Sequence, residues 1–537
     1  MPRLLTLASC VFGSLGWAAA VLAAGGCTTP APAASAASQW SPDSSTVLRA
    51  AGPQYARGKV WRFFFGKHYR DVWALPVTAP VLRLATAQPG GLGPLQAGGS
   101  YQSKTLRLCA INGQEYVLRS VDKDASAALP AGWRRRALGP LMKDQTSAAQ
   151  PYGAYVAAQA AEAAGVLHTN PRLVYVPQDS ALGKFQTRFA DALYLLEERP
   201  DGNQTAVASF GHSPRVVSTA HMLADIRRQP RARVVARAYL RARLLDMWLG
   251  DWSRREDQWR WASFPQPDGA TTYRPIPRDR DQAFFSSTMA SLRGWFRGLC
   301  PSTTAFTPPF GPVPSTASAP PPAPSTAPCS ATSAPRISGR KPIRSGFDSP
   351  MRPLPRPSPP PPRRPGPSWR ASLSPAARPA RAAPAVAQRY YKVLAGESWC
   401  VGTDRPERFE LSAADPGRLR VRTFAIRPNL ADSLISERQY NRRDTYQLNV
   451  YGLAGNDVFE LKAPLKSGIE VHIFDGDGQD RLLNHATSAT DVRNVTWHSS
   501  SDGNTSANNL GVKIEPNAEA QLTANYLGWL RRYNLND

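Results

Sequence analysis

Apolar and polar residues alternate along Thr105-Leu-Arg-Leu-Cys-Ala and again along Glu115-Tyr-Val-Leu-Arg-Ser-Val, with Asn112-Gly113 between the two runs. A period of two puts every second side chain on one face of a strand, and Asn-Gly favours the tight turn of a hairpin. Leu173-Val-Tyr-Val and Ala192-Leu-Tyr-Leu-Leu-Glu read as further strands. Ala154 to Gly165 is Ala-rich and reads as a helix stopped by its glycine, and Arg231 to Trp248 carries apolar residues at Val235, Ala236, Tyr239, Leu240, Leu244 and Met247, a helical spacing. Strands, a long helix, a polar loop and another strand follow in turn, which is an α+β order.

The two ends of this region differ in kind. Met1-Pro-Arg3 precedes an apolar run from Leu4 to Ala24, the order of a secretory signal, and Ala23-Ala-Gly-Gly-Cys27 places small residues ahead of a thiol and a Pro/Ala/Ser-rich tether. Lipidation of Cys27 is the leading expectation, although the residue three before it is Ala24 where a leucine is usual; ordinary cleavage and an uncleaved anchor helix are the alternatives. The expected divisions are a signal over 1–27, a tether over 28–45, a mixed α+β domain over 46–299, a Pro/Ser/Arg-rich linker over 300–388 and a β-rich domain over 389–537. The linker holds about half of the 51 prolines and has neither strand nor helix periodicity. Its abrupt edges equally fit a stretch read out of frame from a G+C-rich gene.

The net charge of +25 suggests nucleic acid until it is located. Between Pro301 and Gln388 stand eleven Lys or Arg and a single acid, Asp348, so much of the excess sits in the linker. For an exported chain that charge points to anionic lipid or cell-wall polymer, not nucleic acid. The six cysteines include Cys10 in the signal and Cys27, and the other four are widely scattered, which indicates neither a zinc site nor a disulfide framework.

Three segments could carry chemistry. Gly98-Gly99-Ser100 precedes the hairpin and would let backbone amides approach a phosphate, although an ordinary turn has the same composition. Gly250-Asp251-Trp252-Ser253-Arg254-Arg255-Glu256-Asp257-Gln258-Trp259 forms a charged loop after the long helix. Tyr273 to Phe284 reads as a strand ending in Asp279 and Asp281, spaced to share one face. Together these offer oxygen ligands for a divalent ion, or else an Arg/Asp network with stacked tryptophans.

The order Tyr116 to Asp124, Leu193 to Glu198, Gly250-Asp251-Trp252-Ser253 to Gln258-Trp259, and Ile276-Pro277-Arg278-Asp279-Arg280-Asp281 resembles the CotH-type spore-coat kinases and, more distantly, HipA-like kinases. It resembles more closely the periplasmic region of bacterial surface-antigen proteins that end in an outer-membrane barrel. The resemblance spans about Tyr55 to Phe285 and implies a two-lobed kinase-like domain followed by a small all-β domain. It further implies ATP near Gly98, Gly99, Arg119, Lys123 and Glu197, and Mg2+ on Asp251, Gln258, Asp279 and Asp281. Ser253 takes the place of the catalytic aspartate and Arg119 that of the nucleotide-holding lysine, unless Lys123 does that work. A serine is no anionic base at neutral pH, so phosphoryl transfer is expected to be slow or absent.

In the tail, Gly452-Leu-Ala-Gly-Asn-Asp457-Val-Phe and Asp475-Gly-Asp477-Gly-Gln-Asp480-Arg-Leu resemble the turn unit of calcium-binding β-rolls. Asp457, Asp477 and Asp480 are candidate Ca2+ ligands, but the long spacer between the units predicts hairpin turns in a β-sandwich instead of a stacked roll. No barrel-type strands follow. The expected whole is a lipid-anchored envelope protein of the periplasm or outer membrane with a degenerate kinase-like domain, working as a binding or assembly module with an outer-membrane barrel protein as a possible partner. An active atypical kinase of exported substrates, with Asp251 or Asp257 as base, and an inactive remnant of a split or frame-shifted surface-antigen gene are the other readings.

Overall fold

A computed structural model describes residues 45–98, 103–124, 126, 133–251, 254, 256–285, 387–392, 394–499 and 503–516. The chain divides into two compact units. The expected signal, Cys27, the tether and nearly all of the linker lie outside the described residues, so the structure is silent on them.

The first unit is mixed α+β. Strand β1 (Thr46–Ala50) pairs antiparallel with β2 (Pro76–Pro80), and helices α1 (Lys59–Phe65) and α2 (Arg70–Ala74) lie between them in sequence. Then come β3 (Leu92–Gly98), β4 (Thr105–Ala110), β5 (Glu115–Ser120), α3 (Trp133–Asp144), α4 (Gly153–Ala163), β6 (Arg172–Val176) and β7 (Ala192–Glu198). These strands form one antiparallel sheet in the order β3-β4-β5-β7-β6. The β4–β5 turn is the Asn112-Gly113 hairpin, with Gly113 at φ 81°, a conformation that costs glycine nothing. Alternation divides the sheet as expected: Leu106, Leu108, Leu118, Tyr194 and Leu196 enter one core, which leaves Arg107, Arg119 and Glu197 on the other face.

A second sheet follows, built from β8 (Arg215–Ser218), β9 (Ala232–Val234), β10 (Trp259–Pro265) and β11 (Thr271–Pro277) in the order β8-β10-β11-β9. Helix α5 (Thr219–Arg228) follows β8 and helix α6 (Ala236–Leu249) follows β9. The helix expected from Arg231 therefore starts later. Ala232, Arg233 and Val234 pair instead with Thr271, Thr272 and Tyr273, and this tertiary pairing outweighs local helix propensity.

The second unit is almost entirely β. Its strands are β12 (Glu397–Val401), β13 (Glu407–Asp415), β14 (Arg418–Ala425), β15 (Ser433–Asn441), β16 (Gln447–Ala454), β17 (Val458–Lys462), β18 (Glu470–Asp477), β19 (Arg481–Asn484), β20 (Val495–Ser499), β21 (Thr505–Ser506) and β22 (Lys513–Pro516). Strands β12-β16-β18-β20-β22 form an all-parallel sheet, and β13, β17, β19 and β21 run parallel in the other sheet, flanked by the antiparallel pair β14 and β15. The expected sandwich of hairpins is thus corrected, because successive strands alternate between two sheets and each turn stacks on the turn one rung earlier. Leu448, Val450, Val471, Ile473 and Trp497 from one sheet meet Phe409, Leu411, Phe459, Leu461 and Leu482 from the other in one hydrophobic core.

Side chains that accept backbone amides hold the stacked turns in register. Asp457 Oδ1 accepts from Glu407 N at 2.8 Å, Asp480 Oδ1 from Asp457 N at 2.8 Å, and Asn504 Oδ1 from Asp480 N at 2.7 Å. Glycine is obligatory where the turns touch: a Cβ on Gly478, at φ 145°, would stand 1.8 Å from Gly455 O.

Candidate functional site: a charge-filled cleft

The polar centre of the first unit is built from the end of α6, the chain after β11 and the charged positions of the second face of β5 and β7, beside the buried Leu193 and Leu195. Helix α6 closes on Gly250, at φ 69°, with Asp251 N bonded to Asp246 O at 2.8 Å and Gly250 N to Met247 O at 3.1 Å. That left-handed cap turns the chain back beneath its own helix. Asp251 is thereby buried beside Asp246, and both carboxylates are fully shielded from solvent.

Buried carboxylates need counter-charge, and arginines supply it. Asp246 accepts from Arg243 Nη1 at 3.2 Å, from Arg254 Nε at 2.9 Å and from Arg254 Nη2 at 3.1 Å. Arg280 Nη2 lies 3.1 Å from Asp246 Oδ1, an ion pair without hydrogen-bond geometry. Arg254 also bonds Asp251 Oδ2, while Asp251 Oδ1 is buried without a partner. Tyr239, Trp259 and Trp261 stack alongside, with the guanidinium groups of Arg243 and Arg254 each 5.9 Å from the Trp259 ring.

The residues expected to hold magnesium and nucleotide bond to one another. Strand β11 ends at Pro277, and Asp279 takes a left-handed φ of 61°, so Asp279 and Asp281 do not share a strand face. Arg119 Nη1 bonds Asp279 Oδ1 at 3.0 Å and Arg119 Nε bonds Glu197 Oε1 at 2.7 Å. Lys123 Nζ bonds Asp281 Oδ2 at 2.5 Å. Beside that pair, Trp73, Arg119, Lys123, Leu195 and Asp281 help line a cavity of about 20 Å³, room for roughly one water molecule. Gln258 is buried, and its carbonyl accepts from Arg278 N at 3.0 Å. The Gly98 carbonyl accepts from Arg188 at 3.2 Å. Gly99, Ser253 and Arg255 lie outside the described residues.

In three separate sets of contacts, Arg119 with Glu197 and Asp279, Lys123 with Asp281, and Arg243, Arg254 and Arg280 with Asp246 and Asp251, the centre holds five cations and five carboxylates. Their titration follows their neighbours. Burial opposes the ionisation of Asp279, but Arg119 and then Lys123 outweigh it and hold its pKa below the usual range. Burial and then the charge of Asp279 raise that of Asp281, against the pull of Lys123. Burial pushes Asp251 up to about 7, opposed by Arg254 and reinforced by Asp246. A further divalent cation in so balanced a group would have to displace Arg119 or Lys123 first. Among the described residues no three His, Cys, Asp or Glu side chains converge on one point as ligands of a metal ion. As they stand, Asp279 and Asp281 are each paired with a cation of the same chain.

The charges that dominate this centre were only partly visible beforehand. Arg243 and Asp246 on α6 carry no motif of their own, and Arg280 stands inside the Asp279–Asp281 segment without a predicted role. The available signal was the i,i+3 spacing of Arg243 and Asp246 on a helix that turns out to be buried on that face.

In the second unit, Asp457 and Asp480 are buried in the turn ladder and Asp477 is exposed, so the three candidate calcium ligands do not form one group. The outer oxygens of Asp457 and Asp480 are buried without a partner. Burial, then the Glu407 charge, pushes Asp457 up to about 10, and burial pushes Glu407 to about 7 and Asp480 to about 6.

Compared with known protein families, curated proteins and solved structures, the chain matches none.

Proposed function

We propose that the first unit is a degenerate kinase-like domain of the CotH type, held in the cell envelope by a lipid on Cys27 and serving as a binding or outer-membrane assembly module. One observation carries this reading: the two carboxylates that would grip magnesium, Asp279 and Asp281, are already neutralised by Arg119 and Lys123 of the same chain. Phosphoryl transfer needs metal charge on the phosphates and a base on the attacking hydroxyl. Here the metal positions hold protein cations. An arginine at 119 adds a two-pronged bond to Glu197 and Asp279, a geometry that a lysine ammonium does not reproduce.

A second reading, an active atypical kinase of exported substrates, draws on Asp251. A carboxylate with one bare oxygen and a pKa near neutrality is suited to accept a proton. Against it, the other oxygen is bonded by Arg254 and the whole group is sealed from solvent.

Incubating the full chain with Mg2+ and γ-labelled ATP separates the two. The proposal expects turnover no faster than a protein-free control, alike in wild type and Asp279→Asn. Turnover well above that control, abolished by Asp279→Asn and by Asp251→Asn, would establish the second reading.

A further inference from the structure

Two guanidinium groups beside this network touch no carboxylate among the described residues. Arg260 on β10 stands opposite Ile276 of β11, and the bond from Arg278 N to Gln258 O carries the pairing one residue past the strand end, which keeps Arg278 on the face of Ile276. Both side chains are half-buried. Neither makes a hydrogen bond or ion pair among the described residues, and the Nε of Arg260 is shielded from solvent with no acceptor.

The surrounding charges are committed elsewhere. Arg107 and Arg199 both bond Glu115, Arg199 also pairs with Asp201, and Arg119 is held by Glu197 and Asp279. Asp201 and Asp257 act on Arg260, and Asp279 and Glu197 on Arg278, only through space. Burial, then the Arg119 charge and that of Arg260, brings Arg278 down to about 10, and burial with Arg199 and Arg107 lowers Arg260 as well. Folding gains nothing from gathering unpartnered like charges in a cleft, where their repulsion is stronger than in water. An arginine fork with free N–H groups is the usual means of gripping a phosphate.

We propose that Arg260 and Arg278 form a metal-independent binding site for a phosphate dianion, whose two charges equal the unpaired charge of the two arginines. The site names a ligand class for the binding module argued above and rests on that reading. Where a working kinase receives phosphate together with magnesium, this cleft supplies the positive charge from its own side chains. Free phosphate and the terminal phosphate of a nucleotide share that chemistry.

Calorimetric titration of the full chain in EDTA, with inorganic phosphate and separately with ATP, tests the site. Wild type is expected to bind phosphate without metal. Arg260→Gln and Arg278→Gln should each weaken binding about tenfold or more, as loss of a charge-assisted contact does, and the double variant should abolish it. Arg443→Gln, at an exposed position of the second unit, should bind as wild type does. The ligand-free double variant should melt no lower than wild type, since the charges removed repel one another, so a loss of binding cannot be ascribed to unfolding. ATP binding tighter than phosphate assigns the ligand to a nucleotide, and equal affinity assigns it to phosphate alone; both support the site. No binding in EDTA, or unchanged affinity in the double variant, overturns it. Metal-free phosphate binding by a protein that also turns over ATP would remove the earlier reading and leave this site standing.

Discussion

Asp251 and Arg119 illustrate opposite uses of a buried charge. Asp251 carries a folded pKa of about 7, raised chiefly by burial, against about 4 in an unfolded chain. The folded state therefore holds more protons between those values, and stability contributed at this position falls as pH rises from about 4 to 7. Asp251→Asn is expected to flatten that part of the melting profile of the first unit, which a series of thermal melts from pH 4.5 to 8 would measure. Arg119 bonds two carboxylates, so Arg119→Ala leaves the buried Glu197 and the half-buried Asp279 without that partner and should cost about 3 kcal/mol in urea unfolding. A loss below 1 kcal/mol would mean that the cleft is wetter than its ion pairs imply. Arg119 was identified beforehand as an odd replacement for a lysine. Its partnership with Asp279, 160 positions away, was not legible, because sequence spacing carries no information about which face meets which.

At the scale of elements, the ladder of turns in the second unit makes the sharpest demands. Asp457, Glu407 and Asp480 have folded pKa values of about 10, 7 and 6, all raised mainly by burial. The sign is the same for each: the folded state keeps protons that the unfolded chain has released, so the unit loses stability as pH climbs from about 4 toward 10. Asp457→Asn keeps the oxygen that accepts from Glu407 N and removes the ionisable group. It should slow amide exchange across β16 to β19 at pH 8 and have little effect at pH 5, as hydrogen exchange with mass spectrometry would record. Gly478→Ala should do the reverse and speed exchange in those strands at both pH values, because its Cβ would collide with the Gly455 carbonyl. The Gly/Asp turns were visible in the sequence as turns, as were the strands flanking them. Their stacking was not, since the turns recur at offsets of 23 and 24 residues and at 50 where β14 and β15 intervene. An inserted antiparallel pair hides the repeat from any fixed period. In the first unit the Asn112-Gly113 hairpin and the Ala-rich helix were legible because local chemistry decides them, whereas β9 depended on a strand nearly forty residues further on.

For the molecule as a whole, charge is handled in two ways. The proline-rich stretch between the two units concentrates unbalanced arginines, and the cleft of the first unit balances five cations with five carboxylates by direct contact. Among the described residues no helix is long and apolar enough to cross a membrane, so the proposed anchoring depends on the segment around Cys27. Metabolic labelling of the expressed protein with a fatty acid should mark wild type and not Cys27→Ser; equal labelling would dissociate the envelope role from that cysteine. The central claim, that Arg119 and Lys123 occupy the carboxylates a metal would need, is tested most directly by titrating Mg2+ into the full chain in a calorimeter, with Arg119→Gln/Lys123→Gln alongside. The account predicts no binding to wild type below millimolar metal and measurable binding once both cations are removed. Sub-millimolar binding by wild type, abolished by Asp279→Asn, would contradict it.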